Sequence, residues 1–146
     1  MVSCSITQGE APSPEEEQAI HLGIARGDPA SAGPRNYRRL SWIVRASDGS
    51  VVGGLLAARA WGWLIIDALW VAEPWRGRGL GSRLLRQAEQ AAASQGCTGA
   101  LLGTFDFQAR GFYEGHGYRV YGQLDGFPTG HVHYHMAKSL ATSMPV

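Results

Sequence analysis

Residues 69–82 read Leu69-Trp70-Val71-Ala72-Glu73-Pro74-Trp75-Arg76-Gly77-Arg78-Gly79-Leu80-Gly81-Ser82. The apolar start is typical of a strand, Pro74 ends that strand, and a helix is predicted to begin at about Leu80. Between them, glycines allow the backbone to approach a ligand closely, and the first amides of the helix have no partner inside it. Those N–H groups and the arginines predict a site for a pyrophosphate-like anion.

The helix that follows this loop is amphipathic and is predicted to run to about Gln95, where Gly96 ends it. Its apolar side chains recur at helical spacing and therefore share one face. They are Leu80, Leu84, Leu85, Ala88, Ala91 and Ala92.

Three strands are predicted on the N-terminal side of the loop. Alternating apolar and polar residues predict a strand over 40–46, a second covers 51–60, and the third covers 64–72. Because short turns join them, these strands are expected to be antiparallel neighbours.

The remaining elements complete an α/β fold class with a mixed sheet. Downstream, strands are predicted over 100–105, 118–123 and 131–138, with a short helix over 108–116. Upstream, residues 2–7 alternate weakly and predict a first strand. Ser13-Pro14-Glu15-Glu16 is a capping-box signal for a helix that ends at Arg26-Gly27. At 146 residues, the chain is predicted to form one domain over 1–146.

Composition excludes several classes of protein. The formal net charge is +1 and no run of basic residues occurs, so no nucleic-acid partner is expected. Cys4 and Cys97 are too few for a disulfide scaffold and are not spaced as metal ligands. The most apolar stretch, residues 61–72, is short and contains Asp67, so no membrane association is expected. A cytoplasmic protein is the expectation.

Other nucleotide-binding loops fit residues 76–82 less well. A Walker loop requires a Gly-Lys-Ser/Thr sequence, and the segment has no lysine. A dinucleotide fingerprint requires glycine where Ser82 stands, and it follows a parallel strand rather than hairpins. A glycine-rich loop that merely turns the chain is the remaining alternative.

Two spaced motifs resemble the GNAT (Gcn5-related N-acetyltransferase) family. Arg76-x-x-Gly79-x-Gly81 is similar to its (Gln/Arg)-x-x-Gly-x-(Gly/Ala) signature, and Ala109–Tyr118 is similar to its Ala-x-x-Phe-Tyr-x-x-x-Gly-Phe element. The resemblance covers about residues 40–140. It implies a GNAT fold, in which a mixed sheet has an antiparallel N-terminal half and a splayed parallel pair flanked by helices. It also implies an N-acetyltransferase that uses acetyl-CoA and no metal.

The resemblance further implies which residues bind the cofactor. The glycine loop would bind the pyrophosphate, and pantetheine would enter the splayed gap and pair with strand amides. The predicted cofactor-binding residues are Leu69, Trp70, Val71, Arg76, Gly77, Arg78, Gly79, Leu80, Gly81, Ser82 and Phe112.

Acetyl transfer requires an acid for the departing thiolate, an oxyanion donor and a base for the amine. Tyr113 occupies the tyrosine position of the family and is the predicted acid, with packing beside Phe112 as the structural alternative. By resemblance, the Val71 amide is the predicted oxyanion donor. Asp67, a lone carboxylate in an apolar strand, is the leading candidate for the base. Glu73, Asp106 and a water chain are the alternatives.

The acceptor side is less defined because residues 1–39 match no pattern of the family. The residues predicted to contact the acceptor are Trp61, Asp67 and Asp106. The Trp61 ring would do so by facing a positively charged group of the acceptor. His131, His133 and His135 alternate on one strand face, where we expect polar or pocket-lining residues rather than a metal site.

The expected acceptor is the primary amine of a small molecule. Thr104–Ala109, with Pro128-x-Gly130-His131, resembles bacterial members assigned to small molecules, among them kasugamycin-type aminoglycoside 2′-N-acetyltransferases. Antibiotic resistance by acetylation is therefore one expectation. A protein, peptide or polyamine acetyltransferase and a non-catalytic acyl-CoA-binding regulatory module are the alternatives. The assembly state is left open, a homodimer included.

Overall fold

A computed structural model describes residues 2–140 of the chain. The chain divides into two compact units, with the boundary between Pro34 and Arg35. The assignment of residues 1–146 to one domain stays a prediction.

The N-terminal unit contains one α-helix, α1 at Pro14–Arg26, and a single 3-10 turn at Ala30–Ala32. The predicted capping box is confirmed, since the Glu16 amide donates to Ser13 Oγ at 3.1 Å and the Ser13 amide donates to Glu16 Oε1 at 2.8 Å. The predicted strand over residues 2–7 is wrong. A strand requires a neighbour for its backbone groups, and this segment pairs with none of the described strands.

The C-terminal unit is built on six strands and two helices, joined in part by a 3-10 turn at Glu73–Trp75. The elements are β1 Arg38–Arg45, β2 Val51–Ala60, β3 Trp63–Val71, α2 Leu80–Ser94, β4 Gly99–Phe105, α3 Arg110–Gly115, β5 Arg119–Asp125 and β6 Val132–Ser139. All the elements predicted from residue 40 onward are present, with ends shifted by a few residues.

The strands form one mixed sheet in the order β1-β2-β3-β4-β6-β5. The first three are antiparallel neighbours, as predicted, and β4, β6 and β5 are also antiparallel. The two halves meet where β3 and β4 run parallel, from Trp63 opposite Gly99 to Ile66 opposite Leu102. Beyond Ile66 the two strands part, which confirms the predicted splayed parallel pair.

A β-bulge marks the point at which the strands part. Ala57 pairs with Ile66 and Leu56 pairs with Ala68, so Asp67 has no opposite residue on β2. An extra residue of this kind bends its strand and increases the local twist. The bulge therefore turns the end of β3 away from β4.

The main core lies between one sheet face and α2. From α2 it contains four of the six predicted apolar residues, and one of them, Leu85, has no exposed surface. The largest buried strand side chains facing them are Leu55, Leu64 and Met136. Burying each such side chain stabilises the fold by about 1.5–3 kcal/mol relative to leaving it in water.

The amphipathic pattern did not identify one polar residue of this core. Glu89 lies on the buried side of α2, and the residue is 8% exposed. Its two oxygens accept hydrogen bonds from the Tyr118 hydroxyl at 2.7 Å and from Lys138 Nζ at 2.9 Å. Burial and the bond to Glu89 raise the pKa of Tyr118, so its hydroxyl remains a donor. These three residues, the Glu89 network, join α2 to the second half of the sheet.

We expect Glu89→Ala to lower the free energy of unfolding by about 3 kcal/mol, because it leaves a hydroxyl and an ammonium without their shared buried acceptor. Urea unfolding monitored by circular dichroism measures this change. The exposed neighbour Gln90 provides the control, since Gln90→Ala should change stability by less than about 0.5 kcal/mol. Equal losses for the two variants would contradict a stabilising network.

Candidate active site

The parted strands open a cleft of about 750 Å³ on the C-terminal side of the parallel pair. Its walls are the end of β3, the loop before α2, the second half of β4 and α3. Residues that line it include Asp67, Leu69, Trp70, Val71, Arg76, Gly77, Gly79, Leu80, Gly81, Ser82, Thr104, Phe107, Phe112 and Tyr113. Most of the predicted cofactor and catalytic residues are thus brought together.

The β3 side of the cleft presents unpaired backbone groups. The Ala72 amide donates to Val52 on β2 at 2.7 Å. Because successive amides of a strand point to opposite edges, the N–H groups of Val71 and Leu69 point away from β2 and toward the cleft. Among the strands of residues 2–140, none pairs with them there, since the β3–β4 ladder ends at Ile66. They are available to a ligand that lies along β3.

The loop at one end of the cleft has the backbone that an anion site needs. Gly77 and Gly79 have φ angles of 77° and 76°, which favour glycine, and Gly79 is the N-cap of α2. The amides of Leu80, Gly81 and Ser82 form the first turn, where helix N–H groups have no internal partner. A Cβ at Gly81 would lie 3.6 Å from the Phe112 ring. Backbone donors and small residues here fit a diphosphate group.

The two loop arginines have different surroundings. Arg76 Nε donates to the Val71 carbonyl at 2.9 Å, so this side chain fixes the loop against the end of β3. The Arg78 guanidinium lies over the Trp75 ring, 4.8 Å from its centroid. Neither arginine forms an ion pair with a described carboxylate, so both positive charges can act on an anionic ligand.

Tyr113 lies on α3 at the inner wall of the cleft and is 7% exposed. Its ring makes edge contacts with Phe112 at 5.2 Å and Tyr118 at 5.8 Å. Burial raises the pKa of Tyr113, so the phenol stays protonated at neutral pH. Within residues 2–140 the hydroxyl has no hydrogen-bond partner. A protonated, unpaired hydroxyl in a cleft is suited to donate a proton.

The predicted acidic residues occupy three different places. Asp67, in the bulge, is exposed and lines the cleft. Glu73 begins the 3-10 turn outside the cleft lining. Asp106 directly follows β4 beside Phe107, which does line the cleft. Of the three, Asp67 is the one that faces the cleft itself.

Trp61, which was predicted to contact the acceptor, does not line the cleft. Trp61 lies in the turn between β2 and β3, where the Arg35 guanidinium covers its ring at 4.4 Å. The cleft is at the other end of β3. Eight residues separate Trp61 from Leu69, a distance of about 25 Å along a strand.

An aromatic and histidine cluster lies beside the cleft and was not predicted from the sequence. We call three of its side chains, Phe105, Phe107 and Phe127, the aromatic wall. The Phe105 ring centroid lies 5.2 Å from that of Phe107 and 5.3 Å from that of Phe127. His131 packs its ring edge-to-face against Phe107 at 5.0 Å and lies 3.0 Å from Asp106. The alternation of the histidines in the sequence indicated that they share one strand face. It could not indicate which phenylalanine and aspartate side chains lie beside them in the fold.

Other candidate sites are less developed. A cavity of about 610 Å³ beside the β2–β3 turn is lined by Arg35, Arg38, Arg59 and Cys97, and none of the predicted site residues line it. Residues 2–140 contain no group of three His, Cys, Asp or Glu side chains placed to hold a metal ion. In the same range, no helix has the length and apolar character needed to cross a membrane.

Comparisons with known proteins agree with this geometry. Residues 8–118 match the model of the acetyltransferase (GNAT) family. The chain is 43% identical over 93 residues to blasticidin-S acetyltransferase of Streptomyces morookaense, covering 63% of this chain and 68% of that protein. It is 36% identical over 116 residues to an acetyltransferase of Agrobacterium fabrum, covering 80% and 85%.

A crystal structure of an acetyltransferase from Bacillus cereus is similar to the fold described above. Its TM-score is 0.77 at 32% sequence identity, and the match covers 92% of this chain and 98% of that one. The splayed sheet, the glycine loop and these similarities lead to one assignment: the chain belongs to the GNAT family and is an acetyltransferase.

Proposed function

We propose that this enzyme transfers the acetyl group of acetyl-CoA to a primary amine of a small-molecule antibiotic. The observation that supports this best is the cleft between β3 and β4, which joins an anion-binding loop to unpaired strand amides and a protonated tyrosine. These three features in that arrangement suit a phosphate-bearing thioester.

Acetyl-CoA would be held along the whole cleft. The amides of the α2 first turn, with Arg76 and Arg78 beside them, would bind its diphosphate. The unpaired groups of Leu69 and Val71 would pair with its amide-containing arm as an added strand does. When bound, acetyl-CoA provides an activated acyl group and a thiol leaving group.

The residues at the inner end of the cleft serve the chemistry. The Val71 N–H points into the cleft and would stabilise negative charge on the carbonyl oxygen. The Tyr113 hydroxyl would protonate the departing sulfur, which its protonated state at neutral pH permits. The exposed carboxylate of Asp67 would attract the ammonium of an acceptor.

Two observations support the proposed acceptor class: the name of one relative, and the distribution of charged residues around the cleft. The relative from Streptomyces morookaense is named for acetylating blasticidin S. In this chain, Asp67 and Asp106 lie near the cleft and its neighbouring wall, and the loop arginines lie at the diphosphate end. An acceptor that arrives as a cation suits this distribution. Amino sugars such as kasugamycin are the finer proposal within that class.

A first prediction concerns the loop. Gly79→Glu should raise the dissociation constant for acetyl-CoA by about a hundredfold or more, since it adds a carboxylate and strain at a positive φ beside the diphosphate. Isothermal calorimetry measures the affinity. Gln87→Glu, which adds the same charge on the exposed side of α2, should bind normally. Equal affinities for the two variants would exclude the loop as the diphosphate site.

A second prediction concerns the acid. Tyr113→Phe should lower kcat by about ten- to a thousandfold with little change in acetyl-CoA affinity, because the ring stays and the proton is lost. Because burial raises the pKa of Tyr113 above the roughly 10 of free tyrosine, its deprotonation should not reduce the wild-type rate between about pH 7 and 9. Tyr37→Phe, at an exposed tyrosine, is the control. Near-normal turnover of Tyr113→Phe would assign that residue to packing.

The acceptor class is tested by thiol release from acetyl-CoA with a panel of amines. Blasticidin S, kasugamycin, other aminoglycosides, simple diamines and lysine peptides are compared at equal concentration. We expect release with one or more antibiotics, at rates that rise with pH as more amine is neutral. Release with diamines or peptides alone would replace the antibiotic proposal by one of those acceptors. Binding of acetyl-CoA without release for any amine would favour a non-catalytic module.

A further inference from the structure

Asp106 and His131 form a fixed pair beside the cleft. Asp106 follows β4 and His131 precedes β6. Asp106 Oδ1 lies 3.0 Å from His131 Nδ1, and Oδ2 accepts a hydrogen bond from the Val132 amide at 3.2 Å. The Asp106 amide also donates to the Val132 carbonyl at 2.9 Å. The carboxylate is therefore bonded through both oxygens, and its orientation toward the imidazole is set by the backbone.

This arrangement determines the tautomer of the neutral imidazole. An ionised carboxylate can only accept hydrogen bonds, so the hydrogen lies on His131 Nδ1 and the lone pair lies on Nε2. Within residues 2–140, the His131 imidazole has no second hydrogen-bond partner, and the side chain is 46% exposed. An accessible, unpaired ring nitrogen, backed by a carboxylate, is the arrangement in which histidine accepts a proton during catalysis.

The aromatic wall links this pair to the cleft. Phe107 lines the cleft and contacts the His131 ring at 5.0 Å with an interplanar angle of 82°. Phe107 stacks on Phe105 at 5.2 Å, and Phe127 makes an edge contact with Phe105 at 5.3 Å. The histidine is thus one aromatic ring away from the cleft lining.

The neighbouring titratable groups are less suited to the same role. The acidic side chains and histidines on the elements around His131 are Asp106, Asp125, His133 and His135. The other charged or titratable groups on the two strands β5 and β6 are Arg119, Tyr121, Tyr134 and Lys138. Asp125 accepts from Gln123 at 3.1 Å. His133 Nδ1 is buried without a partner, and burial, followed by the nearby His135, lowers the pKa of His133. Among them, His131 is the one that a carboxylate orients.

We infer that His131, oriented by Asp106, is the general base that deprotonates the acceptor ammonium; this rests on the proposed acetyl transfer. His131 Nε2 takes one N–H proton, and the freed nitrogen lone pair forms a bond to the thioester carbonyl carbon. The carbon–sulfur bond breaks with its electron pair on sulfur, which takes the Tyr113 proton. The second amine proton returns to Tyr113, directly or through water, and His131 releases its own proton to solvent. The sum is an ammonium and acetyl-CoA giving an amide, CoA thiol and one proton.

This assignment changes the role of Asp67. A free carboxylate is a weaker base than imidazole and a poorer match for an ammonium. Asp67, at the bulge and without a described partner, would bind the cation, while His131 takes the proton. The two roles are separable, because loss of cation binding raises KM and loss of the base lowers kcat.

The test compares the pH dependence of kcat/KM for wild type, His131→Gln and Asp106→Asn, with the most active amine of the panel. We expect His131→Gln to lower kcat/KM by about a hundred- to a thousandfold and to remove the acidic limb caused by protonation of the base. Asp106→Asn should also lower kcat, because an amide can donate to Nδ1 and favour the opposite tautomer. Acetyl-CoA affinity should be unchanged in both variants.

Chemical rescue separates catalysis from loop structure. Added imidazole should restore part of the kcat of His131→Ala, because it replaces the missing base. If the His131 side chain were purely structural, added imidazole would not restore the rate. His135→Gln, on the same strand face, should keep the acidic limb. If wild type acetylates an amine and His131→Gln keeps the wild-type rate and pH profile, or imidazole restores nothing to His131→Ala, this inference is wrong and the proposed function stands. If wild type releases no thiol with any amine, the proposed function fails and this inference fails with it.

Discussion

The short parallel ladder between β3 and β4 is the constraint on which the rest of the molecule depends. Four residue pairs hold the strands together, and then the bulge at Asp67 turns β3 aside. Backbone groups on the open edge of β3 lose their partners, and unpaired N–H groups remain in native proteins only where water or a ligand satisfies them. The cleft is therefore a binding surface made of main chain, with the α2 first turn at one end and α3 along its inner wall. The side chains of the cleft then need only to supply charges that attract the ligands and groups that donate or accept protons.

Much of this architecture was predictable because the local sequence preferences of these segments agree with the structures that the fold requires of them. The Ser13 capping box, the hairpins and the glycine loop each depend on residues close in sequence, and each appears as predicted. The splay itself followed from resemblance to a family and not from periodicity, since alternation says which face a residue occupies and nothing about where two strands separate. The role of Tyr113 was predicted from its motif and stays a prediction, whereas its burial and its unpaired hydroxyl became known from the structure.

The features that could not be predicted depend on contacts between distant segments. Glu89 breaks the apolar face of α2, and its partners lie 29 and 49 residues away, so a charged residue there looks like surface. The Asp106–His131 pair spans 25 residues and forms only because β4 and β6 are neighbours out of chain order. Trp61 was placed near the acceptor on chemistry alone, and the length of β3 separates it from the cleft. Residues 2–7 have the alternation of a strand but no described partner, which alternation cannot reveal.

Gly103 links the width of the cleft to the histidine face of β6. This residue lines the cleft, and a Cβ there would lie 2.7 Å from His133 Cε1 and 2.8 Å from its Nε2. Any side chain at 103 must displace the imidazole, and a smaller residue at 133 would remove the collision. The two positions are therefore expected to diverge as a pair among descendants of this sequence, with the change at 133 preceding the change at 103. The close spacing of β4 and β6 would thus determine the order in which substitutions at these two positions are tolerated.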